Sequence, residues 1–178
     1  MITVATPADR PAVVRMLVAA FVTDPFLRLA FPDDAEYPAG AEAFFGHLFD
    51  QRVGHGTVWI ADGGTAAALW EPPGITLKPE LRLDEPARSR MRAYDDAVHH
   101  ALPAEPFFYL GVLGTHPDHQ GRGHGRAVMA AGLEEAARQN LPAYLETTNP
   151  GNVALYERAG WRVTAELDSP LPVWVMKQ

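Results

Sequence analysis

The chain has 178 residues, 47% of them hydrophobic, which suits a single domain over residues 1–178 with a full hydrophobic core. It has no cysteine and a net charge of −7, which excludes disulfides and thiolate metal sites and argues against a nucleic-acid-binding surface, since that needs a basic stripe. No signal segment follows Met1 and no apolar run reaches the roughly 18 residues of a membrane span, so we expect a cytoplasmic protein with no membrane contact.

The first half of the chain predicts a strand, three helices and a hairpin. Thr6-Pro7-Ala8-Asp9 is a helix-start signal, with an N-cap, a proline and an acid ahead of apolar residues at helical spacing. Asp62-Gly63-Gly64 is the strongest turn signal and predicts the hairpin. The predicted elements are a strand over 2–5, helices over about 8–21, 24–30 and 41–53, and hairpin strands over 57–61 and 65–70.

The second half alternates helices and strands, which predicts an α/β sandwich with a mixed sheet. Phe107 to Leu113 is apolar without interruption and predicts a strand buried on both faces. Asn152 is a good N-cap for a short helix that Gly160 would end. The predicted elements are a loop over 79–84, a helix over 86–101, the buried strand, a helix marked by Ala127, Val128, Ala131 and Leu133 and ending at 138, a strand over 143–147, a helix over 153–159, and a closing antiparallel pair over 161–167 and 173–176.

The turn between the buried strand and its helix is Gln120-Gly121-Arg122-Gly123-His124-Gly125-Arg126. A glycine-rich turn at the start of a helix leaves backbone N–H groups unpaired at the positive end of the helix dipole, and such a turn binds phosphate. An ordinary strand-to-helix turn is the simpler interpretation, but one glycine normally suffices for that.

Two phosphate-binding motifs fit this turn poorly. A nucleoside-triphosphate loop ends in Gly-Lys-Ser/Thr, and Gly125-Arg126-Ala127 has neither the lysine nor the hydroxyl. A dinucleotide fingerprint needs a third glycine where Arg126 stands and should follow the first strand of its domain. One residue favours a dinucleotide-dependent oxidoreductase, because Glu146 follows about 20 residues on, where a ribose-binding acid would lie.

A third motif fits better. Gln120-x-x-Gly123-x-Gly125 after a strand resembles the acyl-CoA signature of the GNAT superfamily of N-acyltransferases. Asn149, then Tyr156 seven residues later, then Gly160-Trp161 is similar to the second signature of that family, in the family's order. The wider pattern is most similar to the puromycin N-acetyltransferase branch.

The resemblance implies a fold and a cofactor. The fold would be a mixed, mostly antiparallel central sheet flanked by helices, with the strands around 107–115 and 143–147 forming a parallel pair that splays apart. Acetyl-CoA would enter that gap. The residues implied to hold it are Leu113, Gly114 and Thr115 along the pantetheine arm, Gln120, Gly121, Arg122, Gly123, His124, Gly125 and Arg126 at the pyrophosphate, and Asn149 and Asn152.

The resemblance also implies how protons move. Tyr156 matches the tyrosine that protonates or hydrogen-bonds the departing CoA sulfur, and a phenol stays protonated at neutral pH. Glu146 is the first choice for the base, with Glu71 and Glu105 as alternatives near strand ends. Two simpler interpretations stay open: Tyr156 as a core aromatic, and Asn149 as a residue that caps or turns the chain. The histidines have no dedicated metal spacing, so no metal is predicted.

We therefore expect an acetyl-CoA-dependent N-acetyltransferase that acetylates a primary amine of a small molecule. A silent acyl-CoA sensor and a protein N-terminal or lysine acetyltransferase are the alternatives, and the sequence leaves room for a homodimer. An amine on an apolar or aromatic body is the expected acceptor, unless the aromatic residues simply fill the core. The aromatic residues expected at its site, with Glu71 at the rim, are Phe21, Phe26, Phe44, Phe45, Phe49, Trp70 and Tyr94.

Overall fold

A computed structural model describes residues 1–75, 85–168 and 170–178, so the loop predicted over 79–84 lies outside the described residues. The helices are α1 (Arg10–Ala20), α2 (Pro25–Ala30), α3 (Tyr37–Val53), α4 (Glu85–Ala101), α5 (His124–Arg138) and α6 (Pro150–Arg158). The strands are β1 (Ile2–Val4), β2 (Val58–Ala61), β3 (Ala66–Glu71), β4 (Phe108–Thr115), β5 (Ala143–Thr147), β6 (Arg162–Leu167) and β7 (Val173–Lys177). Within the described residues, no helix is long and apolar enough to cross a membrane.

The strands form one sheet in the order β1-β2-β3-β4-β5-β7-β6. Every neighbouring pair is antiparallel except β4 and β5, which run parallel. The helices α1 and α3 pack on one face of the sheet, and α5 packs on the other against β2, β3 and β4. Two apolar clusters follow this division, one under α1, α2 and α3 and one under α5 and α6. The predicted fold, a mostly antiparallel mixed sheet with one parallel pair and flanking helices, is confirmed.

The parallel pair separates part-way along its length. Its paired residues run only from Phe108 with Ala143 to Leu110 with Leu145, yet β4 continues to Thr115. The far halves of the two strands therefore leave backbone groups without a sheet partner, which opens a gap at the carboxyl ends of the strands.

A β-bulge in β4 lies next to this point of separation. On β3, Leu69 and Trp70 are consecutive, but their partners on β4 are Val112 and Leu110, so Gly111 is the extra residue. The bulge reverses which side chains face which side, since Leu110 joins the cluster under α5 and Val112 joins the cluster under α1 and α3. Burial along β4 alternates between full and partial. No residue of β4 is exposed and its fully buried residues join both clusters, as predicted for a strand packed on both faces, while the partly buried Leu113 and Thr115 line the opening gap.

The short helix after β5 begins earlier than predicted. Asn149 is its N-cap, with the side-chain oxygen accepting from the Gly151 N–H at 2.9 Å, and Pro150 is its first residue. The prediction that Asn152 is the cap is wrong, because Asn149 is followed by a proline that suits the first helical position. Gly160 follows the helix with φ +96°, as a helix-ending glycine does.

The other helix boundaries differ by a turn or less. The helix α3 begins at Tyr37 instead of 41, and α5 begins at His124. The buried face of α5 is Val128, Met129, Gly132 and Ala136, whereas Ala127 is exposed. Gly132 is needed there because a Cβ would lie 2.1 Å from the indole nitrogen of Trp70.

Candidate active site

A cavity of about 700 Å³ opens where β4 and β5 separate. Every residue predicted to be catalytic or cofactor-binding lines this cavity, except Arg122 and Glu146. The predicted residues that line it are Leu113, Gly114, Thr115, Gln120, Gly121, Gly123, His124, Gly125, Arg126, Asn149, Asn152 and Tyr156. The sequence thus predicted most of this wall, because its members lie on two short segments that end neighbouring strands.

The glycine-rich turn needs its glycines for two different reasons. Gly121 and Gly123 have φ of +74° and +82°, a backbone conformation that costs other residues about 1 kcal/mol or more, and a Cβ on either would meet no protein atom within 4 Å. Gly125 has ordinary dihedrals, but a Cβ there would lie 2.9 Å from the Thr115 hydroxyl. Open space therefore lies beside the first two glycines, and the third lets α5 start against β4.

Two polar side chains of this turn hold the turn itself. The Gln120 amide donates to the Thr115 carbonyl at 3.3 Å, and the Arg122 guanidinium donates to the Asp118 carbonyl at 3.1 Å. Arg122 does not line the cavity, so the structure gives it a local role instead of a place at the predicted pyrophosphate site.

The cavity carries positive charge. Arg126 and Arg158 line it, and neither guanidinium makes an ion pair with a described residue. His119 and His124 also line it, and His124 lies 3.4 Å from Asp62. Unpaired cations beside unpaired helix N–H groups suit a ligand with several negative charges. Arg158 was missed by sequence reasoning because it lies nine residues past the second motif's asparagine, on the turn of α6 that faces the cavity.

Tyr156 lies on α6 with its ring packed edge-on against Trp161, at a centroid distance of 6.2 Å. The side chain is 7% exposed, and burial first and then the charges of Glu146 and Asp24 raise its pKa well above the ordinary value. The phenol is therefore protonated throughout the physiological range and can donate a proton or a hydrogen bond. Its hydroxyl has no hydrogen-bond partner among the described residues, which leaves it available to a ligand.

Asp24 lines the same cavity, although the sequence indicated only a helix start there. Its carboxylate caps α2 by accepting from the Leu27 N–H at 3.0 Å, and it also bonds the Thr148 hydroxyl at the end of β5. Burial raises its pKa, and these hydrogen bonds lower it. Asp24 therefore joins the N-terminal helices to the edge of the gap, a contact across 124 positions of sequence that no local motif indicates.

Glu146 does not line the cavity; it lies deeper, on the face of β5 toward α4. Its carboxylate accepts hydrogen bonds from the hydroxyls of Tyr109 and Tyr94. Burial raises the pKa of Glu146 to about 7, against the lowering effect of these bonds. A carboxyl with this pKa exchanges its proton readily near neutral pH, which suits a general base.

The two other acids considered as bases have different surroundings. Glu71 accepts a hydrogen bond from Arg52 at 2.9 Å, and the Arg52 side chain is only 3% exposed. That ion pair opposes the rise in pKa that burial causes at Glu71. Glu105 is exposed on the loop before β4. Glu146 combines a pKa of about 7 with the absence of a bonded cation among the described residues.

The aromatic residues predicted at the acceptor site divide into two groups. Phe45, Phe49 and Trp70 are at most 1% exposed, and Trp70 packs under α5 against Trp161, so these three fill the core. Phe21, Phe26 and Phe44 are half-buried, and only Phe21 lines the cavity. Tyr94 is buried and stacks on Phe26 at a centroid distance of 4.3 Å.

Comparison with known proteins identifies the family. The sequence model of the acetyltransferase (GNAT) family matches residues 13–161, which include every element from α1 to α6. The chain belongs to this family. The family resemblance predicted from the two motifs is thereby confirmed.

The relatives of this GNAT chain include mycothiol acetyltransferases. That of Kineococcus radiotolerans is 34% identical over 147 residues, which cover 73% of this chain and 45% of that protein. That of Clavibacter michiganensis subsp. michiganensis is 44% identical over 138 residues, covering 75% of this chain and 41% of that protein. The chain thus spans less than half the length of these curated relatives. The structure of "histone acetyltransferase HPA2 and related acetyltransferase" from Corynebacterium glutamicum superposes with a TM-score of 0.72 at 23% identity, covering 99% of this chain and 94% of that one, which shows the same fold.

Proposed function

We propose that this GNAT chain transfers the acetyl group of acetyl-CoA to a primary amine of a small molecule by direct attack. One observation carries the proposal: Tyr156, a phenol that stays protonated and has no hydrogen-bond partner among the described residues, lines the same cavity as the glycine-rich turn. A phosphate-binding turn and a proton donor in one cavity are what transfer from a phosphate-bearing thioester requires.

The residues of this cavity suit acetyl-CoA. The N–H groups of the turn from Gly121 to Arg126 would hold the pyrophosphate, with Arg126 and Arg158 balancing its charge. The edge of β4 at Leu113, Gly114 and Thr115, which has no β5 partner there, would hold the pantetheine arm, and Asn152 would contact it. Asn149 caps α6, so we assign it a structural role ahead of a cofactor contact. Bound acetyl-CoA supplies the activated acetyl thioester, and the chain supplies position and protons.

Proton balance assigns the two titrating residues. The amine nitrogen bonds the acetyl carbon as the carbon–sulfur bond breaks, so a proton must leave nitrogen and another must reach sulfur. Tyr156 donates its proton to the sulfur. Glu146 accepts the proton of the amine, directly or through water, because its pKa of about 7 makes both protonation states accessible near neutral pH.

The chemical class of the acceptor is proposed from the residues beside Glu146. Half-buried Phe26 and Phe44, with Tyr94, give an apolar surface beside the carboxylates of Asp24 and Glu146. This combination favours an amine on an apolar or aromatic body. The relatives named mycothiol acetyltransferase and the resemblance to the puromycin branch both suggest small-molecule acceptors, and we include compounds of both kinds among the acceptors to test.

A screen for released CoA thiol tests the function. The protein is incubated with acetyl-CoA and one amine at a time: arylalkylamines, puromycin, mycothiol lacking its acetyl group, polyamines, aminoglycosides and N-terminal peptides. We expect thiol release with a small aromatic or apolar amine. Binding of acetyl-CoA with no thiol release on any amine would favour a sensor, and best activity on peptides would favour a protein acetyltransferase. Best activity on polyamines or aminoglycosides would overturn the apolar acceptor surface.

Several accompanying predictions stay predictions. These are the single domain over residues 1–178, the cytoplasmic location, the absence of a bound metal and the homodimer. Size-exclusion chromatography with light scattering measures the last of these.

A further inference from the structure

The carboxylate of Glu146 is held by one phenol on each oxygen. The Tyr94 hydroxyl, on α4, donates to Oε1 at 3.3 Å, and the Tyr109 hydroxyl, on β4, donates to Oε2. Side chains of three elements, α4, β4 and β5, thus meet at one acid. We call the two bonds the two-phenol clamp.

No cation bonds this carboxylate among the described residues. Arg52 interacts electrostatically with Glu146, but its guanidinium donates to Glu71 at 2.9 Å and to the Leu48 carbonyl at 3.1 Å. The charged or titratable groups that interact with Glu146 or with its two phenols are Asp24 at the start of α2, Arg52 on α3, Glu71 on β3, Tyr94 and Asp95 on α4, Tyr109 on β4 and Tyr156 on α6.

We propose that Tyr109 and Tyr94 are positioning residues that orient the Glu146 carboxylate and set its affinity for the amine proton. This inference rests on the proposed function. The physical reason is how strongly each kind of hydrogen-bond partner stabilises the ionised carboxylate. A bonded arginine would hold the carboxylate ionised and make it a poor base, whereas burial without donors would keep it protonated. Two neutral phenols stabilise the anion by an intermediate amount.

The direction of each effect follows from the geometry. A donor to the carboxylate stabilises the ionised form, so each bond lowers the pKa that burial raises. Removing the Tyr109 hydroxyl therefore raises the pKa of Glu146, and removing the Tyr94 hydroxyl, whose bond is long at 3.3 Å, raises it less. The phenylalanine variants keep the rings, including the contact of Tyr94 with Phe26.

The test measures Glu146 itself before any activity. Protein labelled with ¹³C at glutamate carboxyls is titrated by NMR without ligand, and the Glu146 signal is identified by its loss in Glu146→Gln. We expect the midpoint of Tyr109→Phe to rise by about one pH unit and that of Tyr94→Phe to rise by less. Tyr37→Phe is the matched control, because it removes another phenol that is only 3% exposed, whose hydroxyl donates to the Val18 carbonyl at 3.0 Å. Its Glu146 midpoint should equal that of the wild type.

Kinetics then test the catalytic part. Kinetics use the best acceptor from the thiol-release screen. In each variant the acid limb of the pH profile of kcat/KM should move to higher pH by as much as the NMR midpoint of Glu146 moves in that variant. An unchanged NMR midpoint in a folded Tyr109→Phe protein overturns the clamp, whether or not any acceptor is found. A shifted midpoint with an unshifted acid limb overturns the positioning role while leaving acetyl transfer intact. Absence of thiol release on every amine contradicts the proposed function, and the NMR midpoints still decide the clamp.

Discussion

The hydroxyl of Tyr109 on β4 donates a hydrogen bond to the carboxylate of Glu146 on β5, beside the point where these two parallel strands separate. The bond places a titrating acid at the base of the gap without an ion pair. Such an acid carries a cost, because burial disfavours its ionised form. A buried acid with a strongly shifted pKa beside a cleft is a candidate functional residue.

Glu146→Gln should therefore stabilise the protein while reducing its activity. Burial raises the pKa of Glu146 above the ordinary glutamate value to about 7 in the folded state, so the unfolded chain releases this proton at lower pH and stability falls as pH rises from about 4.5 to about 7. The variant lacks this loss, so its free energy of unfolding should exceed that of the wild type by about 3 kcal/mol at pH 8 and differ little at pH 4.5. Urea unfolding at both pH values measures this, with Glu134→Gln, an exposed acid on α5, as the control. Equal stability of wild type and Glu146→Gln at pH 8 would show that the acid is solvated.

Tyr156→Phe should lower turnover and leave cofactor affinity almost unchanged. The substitution removes the proton donor and keeps the ring that packs on Trp161. General acids contribute about a hundredfold or more, so kcat should fall by about that factor. Steady-state kinetics and calorimetry with acetyl-CoA measure the two quantities. Tyr144→Phe, a buried tyrosine of β5 that does not line the cavity, is the control and should keep its turnover. Unchanged turnover in Tyr156→Phe would make Tyr156 a core residue only.

Gly123→Ala should weaken acetyl-CoA binding at least tenfold, because its Cβ would enter the space beside the turn where the phosphates would lie. The matched control is Gly56→Ala. Gly56 follows α3 with φ +69°, close to the +82° of Gly123, and also has open space around a Cβ. Both variants should lose about 1 kcal/mol of stability through backbone strain, and only Gly123→Ala should lose affinity. Equal affinities by calorimetry would mean that this turn does not hold the cofactor.

Arg158→Gln should weaken the binding of acetyl-CoA severalfold, and more at low salt than at high salt. Its guanidinium lines the cavity without an ion-pair partner among the described residues, so it is free to balance phosphate charge, and salt screens an exposed charge. Arg162→Gln, on the exposed side of β6 outside the cavity, removes the same charge and should bind normally. Titrations at two ionic strengths compare them. A loss of the same size in both variants would reduce Arg158 to a general contribution to net charge.

The sequence predicted the wall of the cavity well because that information is local. The glycine-rich turn and the segment from Asn149 to Trp161 each carry their function in neighbouring residues, and both follow strands whose carboxyl ends meet. Even the cap of α6 had a local signal, since Asn149-Pro150 pairs a capping residue with a proline suited to the first helical position.

The surroundings of Glu146 could not be predicted in this way. Its two phenols lie 37 and 52 positions away along the chain. They meet it only because strand register and the packing of α4 bring them together. The bulge at Gly111 likewise depends on the register of β4 against β3. The core position of Phe45 and Phe49 could not be predicted either. Aromatic residues at helical spacing give the same sequence pattern whether they face the core or a ligand.

The most direct test of acetyl transfer is to quantify both products of one reaction. The protein, acetyl-CoA and the best amine of the screen are incubated together, and free CoA thiol and the N-acetylated amine are measured by mass spectrometry in wild type and in Tyr156→Phe. We expect equal amounts of the two products, formed about a hundredfold more slowly in Tyr156→Phe. Thiol release without acetylated amine, or no product with any amine while acetyl-CoA still binds, would contradict acetyl transfer to an amine.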